Sequence, residues 1–285
     1  LLHFPSRSDE TLSLQIADSP ATAPPPSASA LTLRTNGSSL DLDTGPIALR
    51  LDRASLVQAI RRDGHELARE LALTLGVAGD GGIEPLRAGP AESFDVESQS
   101  ALQADVRWRG RFVDARGVTT PMAYDLRLRA EAGSPQVRFW LTVLHAQARQ
   151  RPWEELKPRL AVADWRLSVK LAAPPQRWLV GVEDDQQPVA SGDAFELSQA
   201  DDLGYRLTAG GRDLARGTRA PGWVSAVGDR AAVSLGVRWF WQNHPVSVSG
   251  GERMLSVNLW STKTPFLWEG GLAKTHEFVL KIASE

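Results

Sequence analysis

GWVSAVGDRAAVSLGVRWFWQNHPVSVSGGERMLSVNLW, residues 222–260, followed by GGLAKTHEFVLKI, residues 270–282, is a run of short apolar segments broken by Gly and Pro. Alternation of apolar and polar residues over four to eight positions marks a half-buried strand, and each break turns the chain toward the next one. Five of the ten tryptophans fall between Gly222 and Ile282, Trp223, Trp239, Trp241, Trp260 and Trp268, with Trp178 on a similar run upstream. Two of the five histidines share this aromatic setting: His244 after a strand end and His276 within the final strand. No other part of the sequence combines apolar wall, aromatic platform and titratable tip.

The same period runs upstream. Short strands are expected at Leu31–Arg34, Ser39–Asp43 and Ile47–Leu51, separated by Asn36-Gly37 and Gly45-Pro46 turns. The next segment admits two readings, because Ala54, Val57, Ile60, Leu67, Leu71 and Leu75 would line one face of a helix. Asp63-Gly64 is a type I′ hairpin signal through which that helix would have to run, so the segment is read as a hairpin. From Ala101, Leu102, Ala104, Val106 and Trp108 face one way and Arg107, Arg109 and Arg111 the other. Tyr124 to Ala130 and Val137 to Val143 repeat the pattern. Further strands are expected at Leu160–Leu171, Arg177–Val182, Leu203–Thr208, Ala231–Trp239 and Met254–Trp260, with no long helix. About fifteen or more strands at hairpin spacing imply an all-β fold, a large antiparallel two-sheet sandwich.

Thr11 to Ile16 alternate as one further strand, and residues 19–30 are a Pro/Ala/Ser run that cannot donate a regular ladder. The chain therefore divides into a terminal strand segment at 1–18, a linker at 19–30 and one domain at 31–285. A length of 285 residues suits one large all-β domain or two ordinary ones. With 42 % hydrophobic residues the chain is not mainly disordered, and a net charge of −2 leaves no footprint for a nucleic-acid partner. No run approaches the ~18 apolar residues of a membrane span, so no membrane partner is expected. The absence of cysteine removes disulfides and thiolate metal sites. Leu1–Pro5 lacks a charged leader and a small-residue cleavage site, and the missing initiator Met suggests a trimmed product. Arginine far outnumbers the five lysines; planar guanidinium forks suit acidic sugars, although codon bias explains such a composition more often.

Two places could carry chemistry. In the final strand His276, Phe278, Leu280 and Ile282 share a face that Lys274 continues, while Thr275, Glu277, Val279 and Lys281 point the other way. An imidazole at the end of an apolar row is more often a core residue, but Lys274 and the Gly270-Gly271 turn at the same edge would let it meet a ligand. In Trp239-Phe-Trp-Gln-Asn-His-Pro245 the proline ends strand pairing, which should place Gln242, Asn243 and His244 on a rim. Amides bond sugar hydroxyls and indole faces stack on pyranose C–H surfaces. Core filling is the simpler role for Trp239 and Trp260, less so for Trp241; the opposite parity of Phe240 allows only one set to be buried. Asp184-Asp185 and Asp201-Asp202 lack the further oxygen ligands a hard cation needs and read as solvated loops, so no metal is expected. Gly79–Gly82 and Gly210-Gly211 read as turns with no helix behind them, no nucleotide or protease motif is present, and no cofactor is expected.

The W-V-S-A-V-G-D-R and S-L-G-V-R-W-F-W-Q-N-H-P tracts, the following L-S-V-N-L-W and G-G-L-A-K-T-H-E resemble the exo-rhamnogalacturonan lyase (YetA-like) family. Arg238, Phe240, Trp241, Gln242, Asn243, Pro245, Trp260, Gly270, Gly271 and the stretch from Lys274 to Glu277 carry the likeness, which extends more weakly through residues 41–51 and 124–139. The resemblance implies a β-supersandwich, with residues 1–18 as the tail of a preceding β-barrel-like domain. It also implies an α/α toroid, in the same protein or a partner chain, without which these residues alone are not expected to be active. The implied activity is β-elimination on an acidic polysaccharide or oligosaccharide of the pectin backbone, in a secreted or periplasmic setting. His276 would then be base or acid, given an ordinary pKa near 6.5. Lys274 and Arg238 would clamp the uronate carboxylate. Trp241, Gln242, Asn243 and His244 would hold the sugar. The competing expectation is a non-catalytic carbohydrate-binding or structural β-sandwich, which requires Trp241 and His276 buried and satisfied. A lyase half-site requires Lys274, His276 and Asn243 on one open rim.

Overall fold

Side chains that alternate in the sequence alternate between core and solvent once the chain is extended, because successive Cβ atoms point to opposite faces. The computed structural model describes residues 30–79, 81–147, 159–183, 187–261 and 264–284. In chain order the strands are β1 (Thr32–Asn36), β2 (Ser39–Asp43), β3 (Ala48–Asp52), β4 (Leu56–Arg62), β5 (His65–Gly79) and β6 (Gly82–Ala88). They continue with β7 (Ser93–Gln99), β8 (Gln103–Val113), β9 (Thr119–Glu131), β10 (Gln136–His145), β11 (Arg159–Leu171), β12 (Arg177–Val180), β13 (Val189–Ser191) and β14 (Phe195–Gln199). The last are β15 (Tyr205–Ala209), β16 (Arg212–Gly217), β17 (Trp223–Val227), β18 (Ala231–Val237), β19 (Val246–Gly251), β20 (Met254–Asn258), β21 (Phe266–Glu269) and β22 (Ala273–Ser284). One 3₁₀ turn, Trp241–Asn243, is the only helical segment among the described residues.

Every pairing is antiparallel, and all strands belong to one hydrogen-bonded network. One run of neighbours goes from β1 through β2, β3 and β4 to β5, crosses to β11, and continues through β20, β19, β14 and β15 to β16. The other goes from β7 through β8, β9, β10, β22, β18, β17 and β12 to β13. β6 joins them: it pairs with β5 on one side and, through Arg87 and Ala88, with Val113 and Phe112 of β8 on the other. The all-β antiparallel expectation therefore holds, but as a continuous network rather than two separately bonded sheets.

Apolar faces from both runs share one core, in which Leu49, Leu73 and Leu167 of the first join Leu126, Phe139 and Phe278 of the second. Complete burial of each such side chain stabilises by about 1.5–3 kcal/mol. Polar atoms carried into this core find backbone partners: Trp108 Nε1 donates to Asp52 O (2.8 Å) and the Tyr124 hydroxyl to Gly89 O (2.7 Å). Burial also pushes the Tyr124 phenol up to about 12.

The hairpin reading of residues 54–75 is correct: Asp63 (φ 51°) and Gly64 (φ 76°) both sit in the left-handed region that a type I′ turn demands. Leu102, expected on the buried face, precedes β8 and is 75 % exposed. β18 ends at Val237, two residues earlier than expected, and Trp239 lies on the surface rather than in the core. The expected strand at Thr11–Ile16 and almost all of the linker fall outside the described residues.

Candidate functional site

β18 buries Ala231, Val233, Leu235 and Val237, then leaves the sheet at Arg238. The next residue, Trp239, turns the backbone through the left-handed region (φ 57°), which costs a non-glycine residue roughly 1–2 kcal/mol. The turn drives Phe240 into the core and leaves Trp239 58 % exposed, so Phe240 wins the parity contest. Phe240 packs on Gly222 (φ 74°), where any Cβ would collide with its side chain. The 3₁₀ turn Trp241–Asn243 follows, and a cis His244–Pro245 bond leads into β19.

The rim closes on itself. Asn243 donates its backbone N–H (3.0 Å) and its Nδ2 (2.8 Å) to Trp239 O, and His244 Nδ1–H donates to Trp241 O (3.0 Å). The Asn243 amide nitrogen is thus engaged in the turn rather than offered to a sugar. Gln242 is exposed, while Trp241, Asn243 and His244 are half-buried.

Guanidinium groups lie against the tryptophans. Arg238 sits 5.2 Å from the Trp239 ring centroid and Arg219 4.5 Å from that of Trp241, both within cation–π range. Trp140, half-buried on the outward face of β10, has Arg129 at 5.5 Å and Arg138 at 5.9 Å. On most of this face arginines and carboxylates match one to one. Arg129 pairs with Asp105, Arg109 with Asp95, and Arg107 and Arg127 share Asp125 and Glu97. Glu277 differs: its carboxylate takes Arg238 Nη1 at 2.8 Å and Arg138 Nε at 3.5 Å. Two cations therefore share one anion between Trp140 and Trp239.

His276 and Lys274 lie on the opposite face of β22. His276 is 2 % exposed, packed edge-on against Trp165 (4.8 Å) and beside Phe278 (6.4 Å), and neither ring nitrogen has a hydrogen-bond partner among the described residues. Burial, with the Lys274 charge second, pushes its pKa down to about 3. Burial also lowers the pKa of half-buried Lys274. The expected convergence of Lys274, His276 and Asn243 does not occur, because strand parity sends His276 inward while Glu277, beside the rim, points out. His276 has the burial that the scaffold expectation required, but not the satisfied nitrogens.

Sequence reasoning missed Trp140, Arg138 and Arg219. The first two were legible, since Arg138, Trp140 and Thr142 alternate with buried Val137, Phe139, Leu141 and Val143. Arg219 belongs to no pattern. Buried His145, whose Nδ1–H donates to Trp268 O (3.0 Å), was also missed.

Among the described residues no group of three or more His, Cys, Asp or Glu is placed to hold a metal. Asp201 accepts the Leu203 N–H (2.9 Å) in an exposed loop, and Asp184-Asp185 lie outside the described residues. Gly210 and Gly211 both have positive φ, as the expected turn requires. No described helix is long and apolar enough to cross a membrane.

No family model and no curated protein matches this chain. Among solved structures it is similar to a galactose mutarotase-related enzyme from Lactobacillus acidophilus, at 9 % identity and TM-score 0.47 over 86 % of this chain and 97 % of that one. It is also similar to a galactose mutarotase-like protein from Lactobacillus casei, at 9 % identity and TM-score 0.41 over 88 % and 99 %. A GH36 α-galactosidase from Geobacillus stearothermophilus, solved with stachyose, gives 8 % identity and TM-score 0.52 over 90 % of this chain and 41 % of that one. These likenesses correct the resemblance to the exo-rhamnogalacturonan lyase family: the structural neighbours are mutarotase-like proteins and a glycosidase. The β-elimination activity implied by that resemblance is corrected with it, and the α/α toroid had no other support. What the chain shares with the α-galactosidase, at this level of identity, is the fold of the 41 % of that chain it covers.

Proposed function

We propose that the chain is a carbohydrate-binding β-sandwich module whose ligand face is the rim at Trp239, Trp241 and Gln242. The observation that carries this reading is Trp239: a 58 % exposed indole, held in a left-handed backbone conformation with Arg238 against it. Exposing so large an apolar surface forgoes burial worth a few kcal/mol, and such exposure next to an unfavourable φ marks a surface kept for binding. Trp241 with Arg219 and the exposed Gln242 amide add a second platform and hydrogen-bonding groups suited to hydroxyls. A similar fold in an α-galactosidase solved with an oligosaccharide agrees with this reading.

In the finer architecture the two runs of strands lie face to face as the layers of a supersandwich spanning residues 31–285. Support comes from the single core they share and from Arg62 Nη1, which reaches from β4 in one run to Ile282 O in the other (3.1 Å).

The test is affinity electrophoresis of the full chain against soluble neutral and acidic polysaccharides. Retardation by at least one glycan is expected, with loss of at least tenfold in affinity on Trp239→Ala at an unchanged thermal midpoint. No retardation by any glycan, or retardation indifferent to Trp239→Ala, would reject the proposal.

A further inference from the structure

The register of the outward face lines up more than the rim. Trp140 of β10 is the cross-strand partner of Glu277 in β22, and the Arg238 N–H donates to Glu277 O (3.0 Å). Trp140 and the Arg238-Trp239 turn are thus two strand spacings apart, about 10 Å. Both indoles carry guanidiniums, Arg129 and Arg138 on Trp140 and Arg238 on Trp239. The Glu277 carboxylate, only 15 % exposed, ties both guanidiniums between the rings, while the arginine side chains remain 45 % and 52 % exposed.

We infer that Trp140, Arg138, Glu277, Arg238 and Trp239 form one elongated site for an acidic oligosaccharide lying across the strands. The inference rests on the carbohydrate-binding reading and adds the ligand's charge and length. Its physical basis is the local mismatch of two cations to one anion, on a face where the neighbouring arginines are matched one to one. A guanidinium carries five N–H donors in a fixed fork, so fixing one edge against Glu277 leaves others for a ligand carboxylate. Glu277 also spares each arginine much of the side-chain entropy that capturing a ligand would otherwise cost. Two indoles carried on backbone two strand spacings apart are useful to a chain of several sugar units and redundant for one. Single-stranded nucleic acid uses arginine and aromatic stacking as well. It fits less well, since the chain has a net charge of −2 and the neighbouring Arg129 and Arg109 are already ion-paired.

The experiment is calorimetric titration of the full chain with a mannuronate hexamer, its carboxyl-reduced mannose hexamer, the mannuronate dimer and a single-stranded oligonucleotide. The acidic hexamer should bind at least tenfold more tightly than the neutral one, and the gap should shrink as salt rises. Trp140→Ala should weaken the acidic hexamer about tenfold and leave the dimer unchanged. Arg138→Gln, a surface change with little risk to folding, should close most of the acidic–neutral gap. Equal affinity for both hexamers, indifference to Trp140→Ala and Arg138→Gln, or tighter binding of the oligonucleotide overturns the inference. The first two outcomes leave the carbohydrate-binding reading intact whenever Trp239→Ala still abolishes binding. Failure of the chain to bind any saccharide overturns both.

Discussion

At His276 one proton decides between a tolerable core residue and an isolated charge among Trp165, Phe278 and Lys274. Its folded pKa of about 3 lies below the ordinary value of 6.5, so between those limits the unfolded chain holds a proton that the native chain refuses. Stability from this group is complete above pH 6.5 and is lost as the pH falls toward 3, at about 1.4 kcal/mol per pKa unit. Replacing the imidazole with a side chain of similar volume and no charge, His276→Met, should flatten the acid limb of urea-denaturation stability across that window. A resonance assigned to the His276 imidazole that titrates near pH 6.5 in the native protein would contradict this account. Strand parity announced that His276 faces inward. It could not announce the cost, which depends on Trp165, more than a hundred residues away. The exposure of Trp239 was illegible for a related reason, because pairing by twos continues the strand through it and only the packing of Phe240 on Gly222 stops it.

Gly222 links two elements, since it opens the approach to β17 and forms the floor beneath Phe240. Gly222→Ala should destabilise the fold by about 2–5 kcal/mol, the sum of a left-handed alanine and a side-chain collision, read as a lower urea midpoint. Trp239 should lose its orientation in the same variant, visible as a changed near-UV circular dichroism band. At this scale the sequence misled in an instructive way. Val57 and Ile60 are three apart because a β-bulge inserts an extra residue into β4, and a second bulge at Glu70 (φ 56°) makes Ala68 rather than Leu67 the buried partner of Leu71. A bulge shifts the side-chain phase by one, and apolar spacing of two then counts as three, which imitates a helix. Asp63-Gly64 settled the matter because a turn signal is local and unaffected by register.

Over the whole molecule the outcome was easier to read than its details. Alternation over so many short segments leaves no architecture other than antiparallel β, whereas the order of strands across the sheet depends on partners far apart in sequence. Leu31 is buried, and its N–H donates to Ala101 O (3.0 Å), which ties the entry to β1 to the segment just before β8. A protein lacking residues 1–29 should therefore melt in one transition at the same midpoint as the full chain, and a drop in that midpoint would move the boundary upstream. Outer strands carry their own protection against unwanted pairing: Asp95 and Glu97 on β7 and Arg212, Asp213 and Arg216 on β16 place charge where pairing stops.

The position of β22 has a further consequence for biosynthesis. β10 is finished more than a hundred residues before β22, and the two strands that β22 separates, β10 and β18, never touch without it. A nascent polypeptide that has reached only Gly271 displays two open hydrogen-bonding borders, each backed by an apolar face. Premature termination in this region should therefore yield sticky, chaperone-dependent fragments rather than a shortened but soluble product.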